Sequence, residues 1–484
     1  MKKHKTYIVS GALGLMVLLN ACRVGKPYIR PQFDLPEEYV LQDSAKNASK
    51  GIIPWKDFFH DSVLKKLIDT AVVQNFDMRK ALKNVEIADQ YYRQSKAAFL
   101  PSFSLDLLGI SRQYRSKNFY STPSSNWYEH KNESAPDVMF NYQSQFSNTV
   151  NMSWELDIWG KLRWQREDAR ARYLQTYEAQ RVIQTGLIAA ISDNYYSLLM
   201  LDEQLEVAKS SYNLRNSNLK MVELQYESGE VTALAVQQTR TQMLEAAALI
   251  PKLEEEIAVH QNGLLLLTGG LSGEIERAIH ISAIDIDEEY NVLFDLPLSV
   301  VQNRPDVLMS ELRLKSANAK AGVAQAYQYP NLTISLAGGT NSMLAQNWFN
   351  IPGALFGGFT TGLAQPLFNR RKLKTNLEVA RLEREKAEID FQQTVYEAIT
   401  ETNNTLISIN KMREQFTISE EQVSAARKAV ENADLLFKAG FATYLEVINA
   451  QRNLLDAELE MVNIKANILI ARVQLYRALG GGWQ

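Results

Sequence analysis

Two stretches of the chain show helical periodicity over far more residues than a globular helix usually has. Residues 373–439 contain neither Gly nor Pro, and residues 163–228 contain only Gly186 as a weak point. In the former, apolar positions recur at coiled-coil-like spacings, at Val395, Ile399, Leu406, Ile409, Met412 and Phe416. At about 1.5 Å per residue, each stretch predicts a rod of roughly 100 Å. A Gly-containing turn and a second helical segment follow each one, so the pattern predicts two long helical hairpins, the first with a returning helix interrupted at Pro251.

Shorter segments between the helical blocks alternate between apolar and polar positions. Residues 103–107, 150–158 and 332–336 alternate in this way, and a Gly-rich fourth segment lies near 359–367. Such alternation predicts strands with one apolar and one polar face. It is typical of transmembrane β-barrels, although a half-buried soluble sheet has the same pattern. Because four strands do not close a barrel and unpaired edges are costly in hydrocarbon, strands that span a membrane require the chain to oligomerise.

The pattern is duplicated along the chain. Gly440 follows Gly229 by 211 positions, Gly480 follows Gly269 by the same interval, and the residues from Leu156 to Leu162 return at Leu367 to Leu373. Upstream, Pro101 matches Pro330 at an interval of 229, so the first copy carries 18 extra residues. We interpret the Tyr-, Asn- and Ser-rich stretch 113–147 as an outer loop that holds them. Two similar halves suit the wall of a channel.

The N-terminus has the pattern of a bacterial secretion signal. Three lysines precede an apolar run, residues 7–19, that is too short to span a bilayer as a helix. Cys22, the only cysteine, follows directly, which favours lipidation over a buried structural thiol. A Pro-rich arm continues to residue 54. Helical pattern then runs from Asp61, a predicted N-cap, to Ala98.

Composition excludes several function classes. The chain has 484 residues, 46% hydrophobic and 22% charged, with a formal net charge of −3. This balance supports a large core and gives no basic surface for nucleic acid. Its histidines, at positions 4, 60, 130, 260 and 280, are scattered, and we find no nucleophile motif. We therefore expect no enzyme, no catalytic residues, no metal site and no cofactor.

Three motifs together resemble the TolC-like outer-membrane efflux family, in its lipoprotein (NodT/OprM-like) branch. They are Ser153-Trp154-Glu155-Leu156-Asp157-Ile158-Trp159-Gly160-Lys161-Leu162-Arg163, Asn303-Arg304-Pro305-Asp306-Val307 and Leu363-Ala364-Gln365-Pro366-Leu367-Phe368. The resemblance implies a mainly α-helical fold with a membrane β-barrel portion. It implies a homotrimer in which each chain gives four strands to a twelve-stranded outer-membrane barrel and its hairpins to a periplasmic α-barrel tunnel. The partners implied are outer-membrane lipid, a periplasmic adaptor and an inner-membrane RND-type pump.

The resemblance also implies site residues. Cys22 would be lipidated, and the Gly229 and Gly440 turns would be the tips that dock the adaptor. Glu446 and Asn449 fall on the family's periplasmic gate positions, where Asn449 replaces an acid, and a basic position falls on Ala442. The alternatives without a functional role are that both glycines only cap helices and that Glu446 is an ordinary surface acid. The function implied is a passive exit duct for small molecules such as drugs, located in the bacterial outer membrane. The alternative is the duct of a protein secretion system.

The predicted organisation has five parts. They are a signal peptide (1–21), a lipidated arm (22–60), a first repeat (61–270) with a β-hairpin at about 102–159, an equatorial linker (271–298), and a second repeat (299–484) with a β-hairpin at about 331–368.

Overall fold

The structure is a computed structural model that describes residues 24–33, 54–116, 140–277, 279–286 and 303–483. Cys22 and residues 287–298 of the predicted linker lie outside the described residues. The described part is mainly helical, with one four-stranded antiparallel sheet. The described residues divide into two compact units. One is drawn from residues within 1–29, 90–170 and 315–385, and the other from residues within 30–89, 171–314 and 386–484.

The elements follow the chain in two similar series. The first comprises α1 (Trp55–Phe58), α2 (Ser62–Gln74), α3 (Phe76–Ala97), β1 (Ser102–Ser116), β2 (Phe140–Leu156), α4 (Lys161–Glu227) and α5 (Ala233–Leu267). A 3₁₀ turn at Ile281–Ala283 follows. The second comprises α6 (Pro305–Ala326), β3 (Asn331–Ser342), a 3₁₀ turn at Ala345–Asn347, β4 (Leu355–Ala364), α7 (Lys372–Lys438) and α8 (Tyr444–Ala478).

The long helices confirm the duplication. Helices α4 and α7 each have 67 residues, and α5 and α8 each have 35. Both long helices of the second series begin 211 positions after their counterparts. Since local sequence sets these boundaries independently in each copy, the coincidence shows that both copies encode the same helical hairpin.

Two predictions about helix continuity were wrong. The helix expected from Asp61 to Ala98 is broken at Asn75, whose backbone leaves the helical region at ψ 136°. The Asn75 side chain accepts hydrogen bonds from the N–H groups of Asp77 and Met78, at 2.8 and 3.1 Å, and so caps α3. Conversely, α5 continues through Pro251, where a break was expected. Neighbouring side chains, Leu249, Ile250 and Leu253, pack in an apolar cluster that holds the helix despite the missing donor.

The sheet has the order β1-β2-β3-β4, so β1 and β4 are its edges. The first hairpin is longer than the second, with strands of 15 and 17 residues against 12 and 10. Strand structure extends into the stretch that we interpreted as a loop, because β1 ends at Ser116 and β2 begins at Phe140. The interpretation of all of 113–147 as a loop was therefore wrong at both ends, because residues 113–116 and 140–147 pair as strands although most of these residues are polar.

The main apolar core belongs to the second unit. It joins α1 and α2 to the middle of α4 and the last part of α8, and its least exposed members include Leu64, Ile68, Ile191, Tyr195 and Ala466. Asp61 caps α2, as predicted, by accepting from the Val63 N–H at 2.7 Å. Its other carboxylate oxygen accepts from the Tyr195 hydroxyl at 2.6 Å, which ties the cap to α4.

Candidate functional site

The two helical hairpins turn at the predicted glycines. Gly229 and Gly440 have φ of +84° and +77°, the left-handed region that L side chains enter at a cost. At the first turn, the Gly229 N–H donates to Tyr226 O (3.0 Å) and the Glu230 N–H to Gln225 O (2.8 Å). This is the Schellman hydrogen-bond pattern, and the Gly440 turn repeats it. Both glycines are therefore helix caps; whether the turns also dock a partner stays a prediction.

Near these turns, the second hairpin packs against the first. The apolar cluster there has Leu219 and Val222 from α4, and Ala235 and Val236 from α5. Phe437 from α7 and Tyr444 from α8 pack against it. The Tyr444 hydroxyl also donates to Gln238 Oε1 at 2.5 Å. Each turn is thus supported by side chains of both hairpins.

Glu446 has a structural role within its own helix. It is the third residue of α8 and forms a capping box with Thr443, whose backbone N–H donates to Glu446 Oε2 at 2.7 Å. The Thr443 hydroxyl donates to the same oxygen. Hydrogen bonds from the Thr443 side chain, then from backbone N–H groups, lower the pKa of Glu446, so it is ionised at neutral pH. A capping box requires Glu or Gln at this position, so the start of α8 by itself accounts for an acid at Glu446.

Glu446 and Asn449 lie on one exposed face of α8. They are three residues apart, so their side chains are neighbours on the helix surface, and both are exposed. Val447 between them is buried, which fixes which face of the first turn is presented outward. The protomer brings the two predicted gate residues together. It contains no second copy, so their distance to a shared axis stays a prediction.

The sheet separates apolar from polar side chains as predicted. One row of directly paired residues crosses all four strands: Phe103, Met152, Leu336 and Phe359. In this row Phe103 and Phe359 are 69% and 66% exposed. The next row, on the opposite face, pairs Ser102 with Ser153, Ser335 and Thr360. Since exposed aromatic and aliphatic groups lie mainly on one face, that face needs an apolar environment.

Short side chains and glycines shape the middle of this sheet. Gly339 lies against the backbone of β2, where an added Cβ would come within 1.9 Å of Asn148 O. On the polar face the Asn151 side-chain amide donates to Asp106 Oδ2 at 2.8 Å. A register shift between Asp106 and Gly109 marks a bulge in β1. Close backbone packing and the bulge both suit a strongly curved sheet.

The junction between β2 and α4 is built by the first family-like motif. Asp157 accepts from the N–H groups of Leu162 (2.8 Å) and Arg163 (3.1 Å), and its carboxylate also pairs with the Arg163 guanidinium at 3.0 Å. Gly160 adopts φ +80° in the turn. The Trp159 indole donates to Pro330 O at 2.8 Å, which joins this junction to the start of β3. The motif residues therefore fix the point where strand becomes helix.

The same junction holds the arm that follows Cys22. The Val24 N–H donates to Trp159 O at 3.2 Å, and the Trp164 indole donates to Val24 O at 2.6 Å. Trp164 is 1% exposed and packs against Gly25 and Gly322, where an added Cβ would come within 3.0 and 2.5 Å of the indole. Residue 24 is therefore fixed beside the end of the sheet.

The second family-like motif anchors the end of the second hairpin. Arg304 is 8% exposed and pairs with Asp306 and Glu401, each at 2.7 Å. It also donates to Ala478 O at 3.0 Å, near the last residues of α8. Burial opposes its charge, but the two carboxylates outweigh that effect and raise the pKa of Arg304. The motif is thus a structural clamp.

One cluster of potential metal ligands was missed by the sequence reasoning. Within the described residues, Glu203, Glu206 and His280 bring their side-chain ligand atoms within 4.8 Å of one another. The two glutamates have helical spacing, but the histidine lies far along the chain, so no local motif signals the cluster.

In the part of the chain that the structure describes, no helix has the length and hydropathy to cross a bilayer.

Comparison with known proteins assigns the family. The outer membrane efflux protein family matches residues 67–270 and 296–481, one segment in each repeat. The cation efflux system protein CusC of Escherichia coli O6:H1 is 27% identical over 96% of this chain and 97% of its own length. The efflux pump outer membrane protein TtgC of Pseudomonas putida KT2440, described as probable, is 30% identical over 89% of this chain and 85% of its own.

Solved structures of outer-membrane channels have the same fold as this chain. A crystal structure of CusC covers 95% of this chain and 100% of its own, with 25% identity and a TM-score of 0.81. The open state of the MtrE outer membrane channel of Neisseria gonorrhoeae has the same fold, with a TM-score of 0.81 and 22% identity over 96% of this chain and 99% of its own.

Proposed function

The chain belongs to the outer membrane efflux protein family, and from this premise we propose that it is the passive outer-membrane exit duct of a tripartite efflux system. Small molecules would reach it from an inner-membrane pump through a periplasmic adaptor. The observation that carries the proposal is the four-stranded sheet, which has one exposed apolar face and two unpaired edges. A duct of this kind conducts by its shape and charge and requires no catalytic residue.

The unpaired edges of β1 and β4 support a trimer. In hydrocarbon, each unsatisfied backbone group costs several kcal/mol, so an open four-stranded sheet is not stable in a bilayer. Edge pairing with further copies removes that cost, and three copies give a closed barrel of twelve strands. The apolar band from Phe103 to Ile110 spans about 23 Å along the strand at 3.3 Å per residue, close to the apolar band of about 25 Å on outer-membrane barrels.

The position of residue 24 supports a lipid anchor at Cys22. Its hydrogen bonds to Trp159 and Trp164 hold the start of the arm at the end of the sheet, where the strands would leave the membrane. An acyl chain on a residue two positions earlier would reach the same bilayer. Labelling with radioactive palmitate should mark the wild type and spare Cys22→Ser; equal labelling of both would contradict the anchor.

The two Schellman turns support docking of the adaptor at Gly229 and Gly440. Each turn follows a helix of 67 residues and ends a hairpin, so it presents a short loop at an extremity of that hairpin. The residues after Gly440 include Phe441, which is 84% exposed. An exposed aromatic group at a turn suits an apolar contact with a partner protein.

The names of similar proteins indicate which class of cargo the duct would carry. CusC is named for cation efflux, and two further similar proteins of Pseudomonas putida are named for antibiotic and toluene efflux. These names favour small molecules over the protein cargo of a secretion duct. Among these chemical classes the pump would make the selection, because the duct would only conduct.

A first experiment tests the duct itself. The purified full chain should sediment in detergent as a trimer and produce ion-conducting channels in planar bilayers. A folded, monodisperse monomer that gives no conductance would overturn the proposal.

A second experiment tests the gate. Three Glu446 carboxylates that converge on an axis would attract cations, so Glu446→Gln should reduce cation selectivity and Glu446→Lys should weaken it further or reverse it. Gln keeps the capping box, so the helix start stays intact. Asn449→Asp should increase the selectivity by adding carboxylates to the same face.

The control is Glu254→Gln, which removes the same charge from an exposed position of α5. It should leave selectivity unchanged, since exposed charges are screened within about 10 Å at 0.1 M salt. If the Glu446 and Asn449 variants also leave selectivity unchanged, these residues do not line the pore.

A further inference from the structure

The segment after the first repeat is fastened to α4 beside a pair of glutamates. Ile275 and Ile281 are 4% and 1% exposed and belong to the main core. Arg277 pairs with Asp202 at 2.9 Å. Lys465 of α8 donates to Ser282 O at 2.8 Å. The backbone on both sides of His280 is therefore held in place, although the imidazole itself is 74% exposed.

His280 faces two carboxylates. Its Nδ1 lies 3.8 Å from Glu203 Oε2. Glu206 is one helical turn further along α4, and ligand atoms of all three side chains lie within 4.8 Å of one another. The Ser282 hydroxyl donates weakly to Glu203 Oε2 at 3.3 Å, which orients that carboxylate from the same segment.

We propose that Glu203, Glu206 and His280 bind one divalent transition-metal ion, with Zn²⁺ as the representative. Imidazole nitrogen and carboxylate oxygen bind Zn²⁺ at about 2.0–2.2 Å, which places neighbouring ligand atoms of a tetrahedral site roughly 3.5 Å apart. The separation of 3.8 Å between His280 Nδ1 and Glu203 Oε2 is close to this value. The ligand atoms of all three side chains lie within 4.8 Å of one another, so the exposed side chains would need to move closer together by up to about 1 Å. Three protein ligands leave a fourth position for water.

The ligand chemistry defines the class of ion. Two carboxylates with a neutral imidazole carry a charge of −2, which a divalent ion neutralises. The set contains no thiolate or thioether, so it does not suit a soft monovalent ion such as Cu⁺. A site with a single imidazole and two carboxylates is also better suited to Zn²⁺ than to Mg²⁺, which prefers oxygen ligands and retains its water.

The bound ion would join the inter-repeat segment to α4. His280 belongs to that segment, and both glutamates belong to α4. Metal binding would add a cross-link between positions that are close in space and distant in sequence. This proposal concerns a fixed site on the chain and is independent of what the duct transports.

Metal titration of the purified, tag-free, metal-stripped full chain in detergent tests the proposal. Calorimetry should show one Zn²⁺ per chain, and Co²⁺ should produce visible d–d absorption that Zn²⁺ abolishes. His280→Ala and Glu206→Gln should each weaken Zn²⁺ binding by at least about tenfold. Both side chains are exposed, so the folded state should tolerate either change.

The matched controls are His260→Ala, which removes a histidine of α5, and Glu254→Gln, which removes an exposed acid. Both should bind Zn²⁺ as the wild type does. If His280→Ala binds Zn²⁺ with wild-type affinity, or if the wild type binds none, the cluster is not a metal site and the proposal is wrong.

Discussion

At the residue scale, backbone conformation separates glycines that are required from glycines that are not. Gly440 has φ +77° with open space around its Cα, whereas Gly186 lies inside α4, also with open space. An added methyl group would meet no other atom at either position, so its effect on stability depends on the backbone conformation alone.

We predict opposite effects from the same substitution at these two sites. Gly440→Ala should lower the free energy of unfolding by about 1–2 kcal/mol, because an L residue is strained in the left-handed region. Gly186→Ala should raise it by about 0.5–1 kcal/mol, because Ala favours a helix. Denaturant unfolding in detergent measures both. A loss of stability at both positions would show that Gly186 has a packing role in the assembly.

Asp193 gives a residue-scale prediction about pH. Burial raises its pKa to about 6, against the opposing effects of the Gln474 hydrogen bond and the Arg477 charge. Its Oδ2 accepts from Gln474 at 2.6 Å, while Oδ1 is buried without a partner among the described residues. The folded state therefore favours the protonated form more than the unfolded state does.

The sign of the pH dependence follows from this difference. As pH rises from 3.8 to about 6, the unfolded chain releases this proton first, so the contribution of Asp193 to stability falls and stays low above that window. Asp193→Asn should remove this component. The melting temperature of the variant, relative to that of the wild type, should therefore increase between pH 4.5 and 7. Asp434→Asn, which removes a half-buried acid of α7 paired with Lys438, is the control. Parallel pH curves for wild type and Asp193→Asn would contradict the assignment.

At the element scale, one side chain decides where a helix ends. Asn75 caps α3 through its Oδ1, and its Nδ2 donates to Leu267 O at 2.9 Å, at the end of α5. It is 6% exposed, so any group left behind by a substitution has little access to water.

We predict that Asn75→Ala lowers the free energy of unfolding by about 2–4 kcal/mol, the sum of a lost cap and an unsatisfied buried carbonyl. Asn75→Ser retains a capping oxygen and loses the donor to Leu267, so comparison of the two variants separates the contributions. Asp61→Ala is a reference for a cap at the neighbouring helix. If Asn75→Ala is neutral, α2 and α3 join without a cap and the break is not set by this residue.

At the scale of the whole molecule, the two faces of the sheet predict which side meets lipid. Leu336 belongs to the exposed apolar row, and Ser335 belongs to the polar row beside it on the same strand. In a closed barrel, successive residues point to lipid and to the lumen.

Leu336→Lys should therefore reduce the assembled protein in the outer membrane, because a lysine near the bilayer midplane costs about 2–4 kcal/mol. Ser335→Lys should assemble normally and shift conductance toward anions. Fractionation of membranes and bilayer recording check the pair. If Ser335→Lys is the variant that fails to assemble, the orientation of the sheet is reversed.

The sequence by itself determined the repeated helical hairpins, the turns at Gly229 and Gly440, the four alternating strands and the Asp61 cap. These features depend on interactions between residues close along the chain, which periodicity and turn chemistry report directly. The residues of the family-like motifs were also visible, although their junction and clamp roles appeared only in the structure.

Only the tertiary structure decided the break at Asn75, the continuity of α5 through Pro251 and the meeting of Glu203 with His280. Asn75 bonds to Leu267, 192 positions away, and Pro251 is held by packing around Leu253. His280 reaches α4 because Ile275 and Ile281 insert into the core. Contacts between distant residues outweigh local propensity in each case, and no local pattern encodes such contacts.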